Sequence, residues 1–200
     1  MVSMGRVMLC FTVCVHFLLF GCTGKKDDIV QLAHYPLDSI DGIMSRSDSI
    51  LDKNISSDGN GSLRITPNKP ATVRLYELGD IDVENARLIY QARLRTEEVT
   101  GQVYLEMWCH FPGKGQFFSR GLESPLSGST EWTTEEIPFF LKKGENPDDI
   151  KLNLVINGTG TVWIDDIRLL KGPLNKKWLR FSATLFIDKH SPTNRFYCKN

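Results

Sequence analysis

The chain has few cysteines, no net charge and no long apolar run after its N-terminal segment. Its 200 residues hold 24 Lys and Arg against 24 Asp and Glu, with only five Cys. A balanced charge argues against the basic surface that nucleic-acid binding requires. The four His are scattered without metal-ligand spacing, and no serine or cysteine nucleophile motif occurs. These absences argue against a nucleic-acid-binding protein and against the common hydrolase and metalloenzyme classes.

The N-terminal segment is typical of a secretion signal, because Arg6 precedes an apolar run, Val7–Phe20. This run is shorter than the roughly 20 residues of a membrane-spanning helix, and the charged stretch TGKKDD follows closely. The segment ends in LFGC, which resembles the lipobox of bacterial lipoproteins. That resemblance implies acylation of Cys22 and a lipid anchor in the cell envelope, with the outer membrane favoured because Thr23 follows. An ordinary signal peptide and a secreted product are the alternative.

Removal of residues 1–21 would leave 23 Lys and Arg against 24 Asp and Glu, because that segment holds one basic and no acidic residue. Besides Cys22, only Cys109 and Cys198 would remain. An exported protein can join two such residues in a disulfide. Cys109 occupies an apolar position of a predicted strand, however, where a buried thiol acts as a small hydrophobic side chain. The pairing therefore stays open.

From Ile29 onward the sequence consists of short alternating runs separated by turn-forming clusters such as SSDGNGS, PGKG, KKGENPDD and NGTG. Alternation with period two predicts β-strands, and no stretch between Ile29 and Leu170 has a helical period. The segment 112–129 is assigned to a loop. The predicted strands are Ile29–His34, Ser49–Leu51, Ser62–Thr66, Thr72–Leu78, Arg87–Arg95, Gln102–Phe111, Glu131–Phe140, Lys151–Ile156 and Thr161–Leu170.

Several predicted strands are apolar on one face only; Leu152 and Leu154, for example, alternate with Lys151 and Asn153. Strands that bury one face require two sheets packed against each other. The sequence therefore predicts an all-β protein, a two-sheet antiparallel β-sandwich after a signal peptide. The predicted divisions are a signal peptide (1–21), a tether (22–28), the sandwich (29–171) and a basic, aromatic C-terminal appendage (172–200). The appendage either packs on the sandwich or begins a longer protein.

The strand Gln102–Phe111 has an unusual polar face. Its odd-numbered positions are apolar and read as core, whereas the opposite face carries Tyr104, Glu106 and Trp108. Two large rings thus lie among groups that favour water. A polar, solvent-facing surface with aromatic rings is suited to a ligand that is itself part apolar and part polar.

The block from Ser129 to Leu170 resembles the second half of the jelly-roll carbohydrate-binding modules that bind xylan, cellulose and other β-glucans. The matching features are Trp132 at the start of a strand, the alternating LNL strand, the glycine hairpin NGTG and the final strand GTVWIDDIRLL. Upstream, GNGSLRI resembles an early strand of the same modules. The resemblance implies a jelly roll over about residues 29–170, and many jelly rolls of this kind bind no sugar.

In the sugar-binding members of this family, the ligand lies in a shallow groove on the solvent-facing side of one sheet, where rings stack on sugars. The resemblance therefore implies a non-catalytic protein that binds a polysaccharide of the β-glucan or xylan type. The predicted binding residues are Gln91, Arg93, Tyr104, Glu106, Trp108 and Asn153. The alternative is a structural or protein-interaction lipoprotein with the same fold, in which Trp108 only packs on Arg93 or under a loop.

Related modules often hold a structural calcium ion near the start of the chain and the aspartate of the last strand. The resemblance implies Asp165 as a calcium ligand, with partners from residues 38–58. Glycoside hydrolysis needs two carboxyl groups about 5–10 Å apart. The polar face offers Glu106 alone, so no enzymatic activity is expected.

Overall fold

The computed structural model describes residues 28–174. The predicted signal peptide, Cys22 and Cys198 lie outside the described residues, as do most of the tether and of the C-terminal appendage. Within the described part every element is a strand, and no helix there could cross a membrane. Its nine strands are β1 (Val30–Tyr35), β2 (Ser49–Asp52), β3 (Ser62–Ile65), β4 (Ala71–Gly79), β5 (Ala86–Phe111), β6 (Gly115–Arg120), β7 (Leu126–Leu141), β8 (Asp149–Asn157) and β9 (Thr161–Pro173).

Strand β5 belongs to both layers of the fold. Its first half, residues 86–97, pairs with β7 and β9. On its other side, β9 pairs with β1 and β3, and β2 pairs with β3. Its second half, residues 102–111, pairs with β6 and β8, and β4 follows β8. All these pairings are antiparallel. The curled sheet forms a two-layer β-sandwich, which confirms the predicted fold class.

The hydrophobic core lies between the two layers, and both halves of β5 contribute to it. Leu88 and Leu94 of the first half, and Leu105 and Met107 of the second, are at most 1% exposed. Burial of each such side chain contributes about 1.5–3 kcal/mol to folding. Cys109 is a free, buried thiol whose pKa is raised by desolvation, so it serves as the small hydrophobic side chain predicted from its position.

The chain crosses between the layers near Gly101. The pairing of β5 with β7 is irregular from Thr96 to Val103, and Glu98 has a positive φ of 51°. Gly101 lies so close to β8 that a Cβ atom there would be 1.8 Å from the carbonyl oxygen of Asn157. Only glycine allows the two backbones to approach this closely.

The predicted strands agree with the observed ones except at two places. The predicted strands Arg87–Arg95 and Gln102–Phe111 are parts of the single strand β5. The segment 112–129, predicted to be a loop, contains β6, which pairs with the end of β5, and also the first four residues of β7. The sequence GQFFSR gives a weak strand signal, because it places one phenylalanine on each face and so hides the alternation.

Candidate functional site

The polar surface predicted from the sequence is the outer face of the second layer. Tyr104, Glu106 and Trp108 point outward because the residues between them face the core. In the strand register, Glu106 lies between Asn153 of β8 and Arg120 of β6. We call this surface the polar face; it comprises Arg74 and Glu77 of β4, Lys151 and Asn153 of β8, Tyr104, Glu106 and Trp108 of β5, and Phe118 and Arg120 of β6.

Glu106 is the fixed centre of the polar face. Its side chain lies on the outer side of the sheet, yet the residue is only 3% exposed. The Nε of Arg120 donates a hydrogen bond to Oε2 at 2.5 Å, and the Nδ2 of Asn153 donates one to Oε1 at 3.0 Å. A buried carboxylate needs such partners, because desolvation without them is costly. The two bonds fix the orientation of Glu106 and compensate its charge.

The ring of Trp108 is supported by β6. Its centroid lies 4.9 Å from that of Phe118, with the planes tilted by 49°. The guanidinium of Arg120 also packs on the Phe118 ring, with its Cζ 4.3 Å from the ring centroid. Trp108 therefore keeps a defined position while part of its surface stays exposed. Phe118 and Arg120 were not among the predicted binding residues, because their segment was predicted to be a loop and β6 was not expected.

The β4 side of the polar face carries further charged groups. The Nζ of Lys151 lies 3.0 Å from Oδ2 of Asp149 and 3.6 Å from Oε1 of Glu77. The hydrogen bond with Asp149 raises the pKa of Lys151. Arg74 lies directly across from Asn153 and is exposed. Lys151 and Arg74 were not among the predicted binding residues.

The structure corrects the predicted grouping at Gln91 and Arg93. These residues lie in the first half of β5, where Gln91 pairs with Glu136 and Arg168. This half belongs to the first layer, whose outer face points away from the polar face. Gln91 and Arg93 therefore do not lie beside the other four predicted residues, and Arg93 is not a stacking partner of Trp108. The alternation along β5 was predicted, but not its passage from one layer to the other.

Asp165 lies on β9 of the first layer and is fully buried. Asp165 points outward because it follows core-facing Ile164, and a bulge at Asp166, with a φ of 48°, comes directly after it. The Oδ2 of Asp165 accepts a hydrogen bond from the amide of Ser57 at 2.7 Å, and its Oδ1 accepts one from the amide of Asp166 at 2.8 Å. Burial raises the pKa of Asp165. The carboxylate thus joins Ser57, in the loop between β2 and β3, to the last strand.

The residues around Asp165 do not fit the predicted calcium ion well. Both oxygens of Asp165 face N–H donors, whose positive ends occupy the side that a cation would need. Calcium takes six to eight oxygen ligands. Among residues 28–174, no group of three or more His, Cys, Asp or Glu side chains is placed to hold a metal ion. The calcium ion stays a prediction, and no part of the function below depends on it.

A cavity of about 290 Å³ lies among the segments that follow β4, β5 and β7. Its lining includes Asp80, Asp82, Asn146 and Asp148 but no aromatic ring. Sugar binding commonly uses a ring as a stacking surface for the apolar face of a pyranose. The polar face, with Tyr104 and Trp108, is therefore the better candidate site.

No family model and no curated protein sequence matches this chain. Solved structures do match its fold. The CBM22-1 xylan-binding domain of Paenibacillus barcinonensis Xyn10C aligns with a TM-score of 0.55 and 11% identity, over 74% of this chain and 97% of that domain. The CBM22-1 and GH10 modules of Clostridium thermocellum xylanase Xyn10B, solved with xylohexaose, give 0.53 and 13% identity, over 70% of this chain and 28% of that one. This chain has the fold of a jelly-roll carbohydrate-binding module.

The carbohydrate-binding-module fold confirms the predicted resemblance at the level of architecture. A further xylan-binding domain, described as a CBM 22 domain, aligns with a TM-score of 0.50 and 10% identity over 70% of this chain and 94% of that domain. Similarity at such identities shows the fold alone, and one fold can host many functions. The function must therefore be argued from the residues of the polar face.

Proposed function

We propose that this protein is a non-catalytic protein of the cell envelope that binds a polysaccharide, of the β-glucan or xylan type, on its polar face. The observation that carries the proposal is the placement of two partly exposed rings, Tyr104 and Trp108, on either side of the fixed carboxylate Glu106. At a rise of about 3.4 Å per residue, each ring is about 7 Å along the strand from Glu106.

The chemistry of this surface suits a sugar polymer. A pyranose has apolar C–H faces, which stack on aromatic rings, and a polar equator, which needs hydrogen-bond partners. Tyr104 and Trp108 provide the rings. Glu106 and Asn153 provide a polar patch between the rings, and their mutual hydrogen bond fixes the positions of both side chains. A preorganised surface loses little conformational entropy on binding.

The same geometry supports a binding role over hydrolysis. A glycosidase uses one protonated carboxyl group and a second, ionised one. Glu106 is engaged by the Arg120 guanidinium, which bonds its Oε2. The acidic residues nearest to Glu106 on the neighbouring strands are Asp149 of β8 and Glu77 of β4. Lys151 forms ion pairs with both, so neither offers a free second carboxyl group.

The rival function is a structural or protein-interaction role with the same fold. The contact between Trp108 and Phe118 favours it, because this contact gives Trp108 a packing role that needs no ligand. The two functions differ in what the exposed part of the ring does. A packing residue contributes to stability alone, whereas a binding residue contributes to affinity in a protein that remains folded.

The test is polysaccharide binding by the purified, processed protein and by three variants, measured by affinity electrophoresis on a panel of soluble polysaccharides. We expect Trp108→Ala and Tyr104→Ala each to weaken binding at least about tenfold, or ~1.4 kcal/mol. Trp132→Ala is the matched control, since it removes the same ring from β7, which pairs with the first half of β5. Circular dichroism checks the fold of each variant.

Equal affinity of the folded Trp108→Ala and Tyr104→Ala variants and the parent protein would refute the proposed site. Absence of binding to every polysaccharide in the panel would refute the proposed function itself. In that case co-purification of a protein partner would support the structural or protein-interaction role.

A further inference from the structure

The charged groups of the polar face are paired, with one exception. Glu106 is bonded to Arg120, and Lys151 lies within ion-pair distance of Asp149 and Glu77. Arg74 differs from all of these. Among the described residues, no carboxylate lies within ion-pair distance of its guanidinium, and its side chain makes no hydrogen bond or ring contact with them.

Arg74 is nevertheless held in a defined place. It lies in β4, opposite Asn153, and its carbonyl oxygen accepts a hydrogen bond from the amide of Ser45 at 2.9 Å. Neighbouring strands are about 4.8 Å apart, so the Arg74 backbone is about 10 Å from that of Glu106, across β8. The side chain therefore emerges at the rim of the surface whose centre is Glu106 and whose rings are Tyr104 and Trp108.

A free guanidinium at this rim has a preferred ligand chemistry. Its five N–H donors form a planar fork that matches the two oxygens of a carboxylate. The hydroxyl groups of a neutral sugar also accept hydrogen bonds from a guanidinium, but they bring no counter-charge to it. A carboxylate would supply the counter-charge that the protein does not provide at this position.

We infer that the polar face binds a glycan that carries carboxylate groups, that is, a polysaccharide with uronic acid residues, and that Arg74 binds the carboxylate while the sugar rings lie over Tyr104 and Trp108. This inference rests on the proposed function. It names the class of polysaccharide and the residue that selects it. Lys151, in the next row of the face, adds a partly exposed positive charge on the same side, although Asp149 and Glu77 compensate it.

The experiment uses one acidic polysaccharide in two forms, a glucuronoxylan and the same polymer with its carboxyl groups reduced to alcohols. The purified, processed protein is compared with Arg74→Gln, Arg74→Lys and Lys143→Gln by affinity electrophoresis or calorimetry. Lys143 is the matched control, because it is an exposed positive charge in the turn after β7. We expect Arg74→Gln to weaken binding of the acidic form about tenfold and to change binding of the reduced form less than twofold.

Arg74→Lys is expected to lie between the parent protein and Arg74→Gln, since lysine keeps the charge but loses the planar fork. Binding of the acidic form by the parent should also fall as salt is raised, with little change for the reduced form. Equal affinity of the parent for both forms, or an equal loss for both in Arg74→Gln, would overturn the inference and leave the proposed function standing. Failure to bind either form, with no other polysaccharide bound, would overturn both.

Discussion

Asp52 is a single residue that joins two distant parts of the chain. Its Oδ2 accepts a hydrogen bond from the Nε1 of Trp163 at 3.0 Å, and its Oδ1 accepts bonds from the amides of Asn54 and Ile55 at 2.9 and 3.2 Å. These bonds are made to the ionised carboxylate, and the bond from Trp163 is the main cause of a lowered pKa for Asp52. The residue thus contributes to stability in its charged form.

Asp52→Asn is expected to lower the free energy of unfolding by about 2 kcal/mol at pH 7, which corresponds to about 6 °C in Tm for a domain of this size. The folded-state pKa lies below the unfolded value of about 4, so this contribution is present above pH 4 and is lost as pH falls further. The difference between parent and variant should therefore shrink between pH 4 and pH 3 in urea unfolding. A constant difference would contradict this account. The exposed Asp48→Asn is the control.

At the scale of elements, the passage of β5 between layers depends on Gly101. A methyl group there would overlap the Asn157 carbonyl, and neither backbone can move without disturbing a strand. Gly101→Ala should therefore lower the free energy of unfolding by about 1–3 kcal/mol, as overpacking does. Gly79→Ala is the matched control, because its nearest contact, the carbonyl oxygen of Asp148 at 3.6 Å, is an ordinary one. Denaturant unfolding measures both, and equal losses would show that the close approach is not the cause.

The same strand shows how far sequence reasoning reaches. Alternation along the chain correctly placed Tyr104, Glu106 and Trp108 on one face, because the direction of a side chain in a strand is a local property. It misplaced Gln91 and Arg93, because the sheet that a strand joins depends on partners distant in sequence. The first half of β5, which holds both residues, pairs with β7 and β9, whereas the second half pairs with β6 and β8. Such a pairing is decided by tertiary packing and leaves no periodic signal.

For the whole molecule, the strand that follows the predicted anchor, β1, and the polar face lie on different layers. Strand β1 begins at Val30, eight residues after Cys22, and pairs with β9 of the first layer. Eight extended residues reach at most about 29 Å. An acylated Cys22 would therefore keep the start of β1 within about 29 Å of the membrane. The polar face is on the second layer, on the opposite side of the sandwich from β1.

Cys22→Ser tests this arrangement. We expect the variant to move from the membrane fraction to the soluble fraction, because the lipid chains alone would hold the protein, and to keep its polysaccharide affinity, because the described sandwich begins after the substituted residue. Cys14→Ser, within the apolar signal segment, is the matched control and should leave the protein at the membrane. A parent protein found in the soluble fraction would favour the secreted alternative. Loss of affinity in Cys22→Ser would show instead that binding requires the membrane.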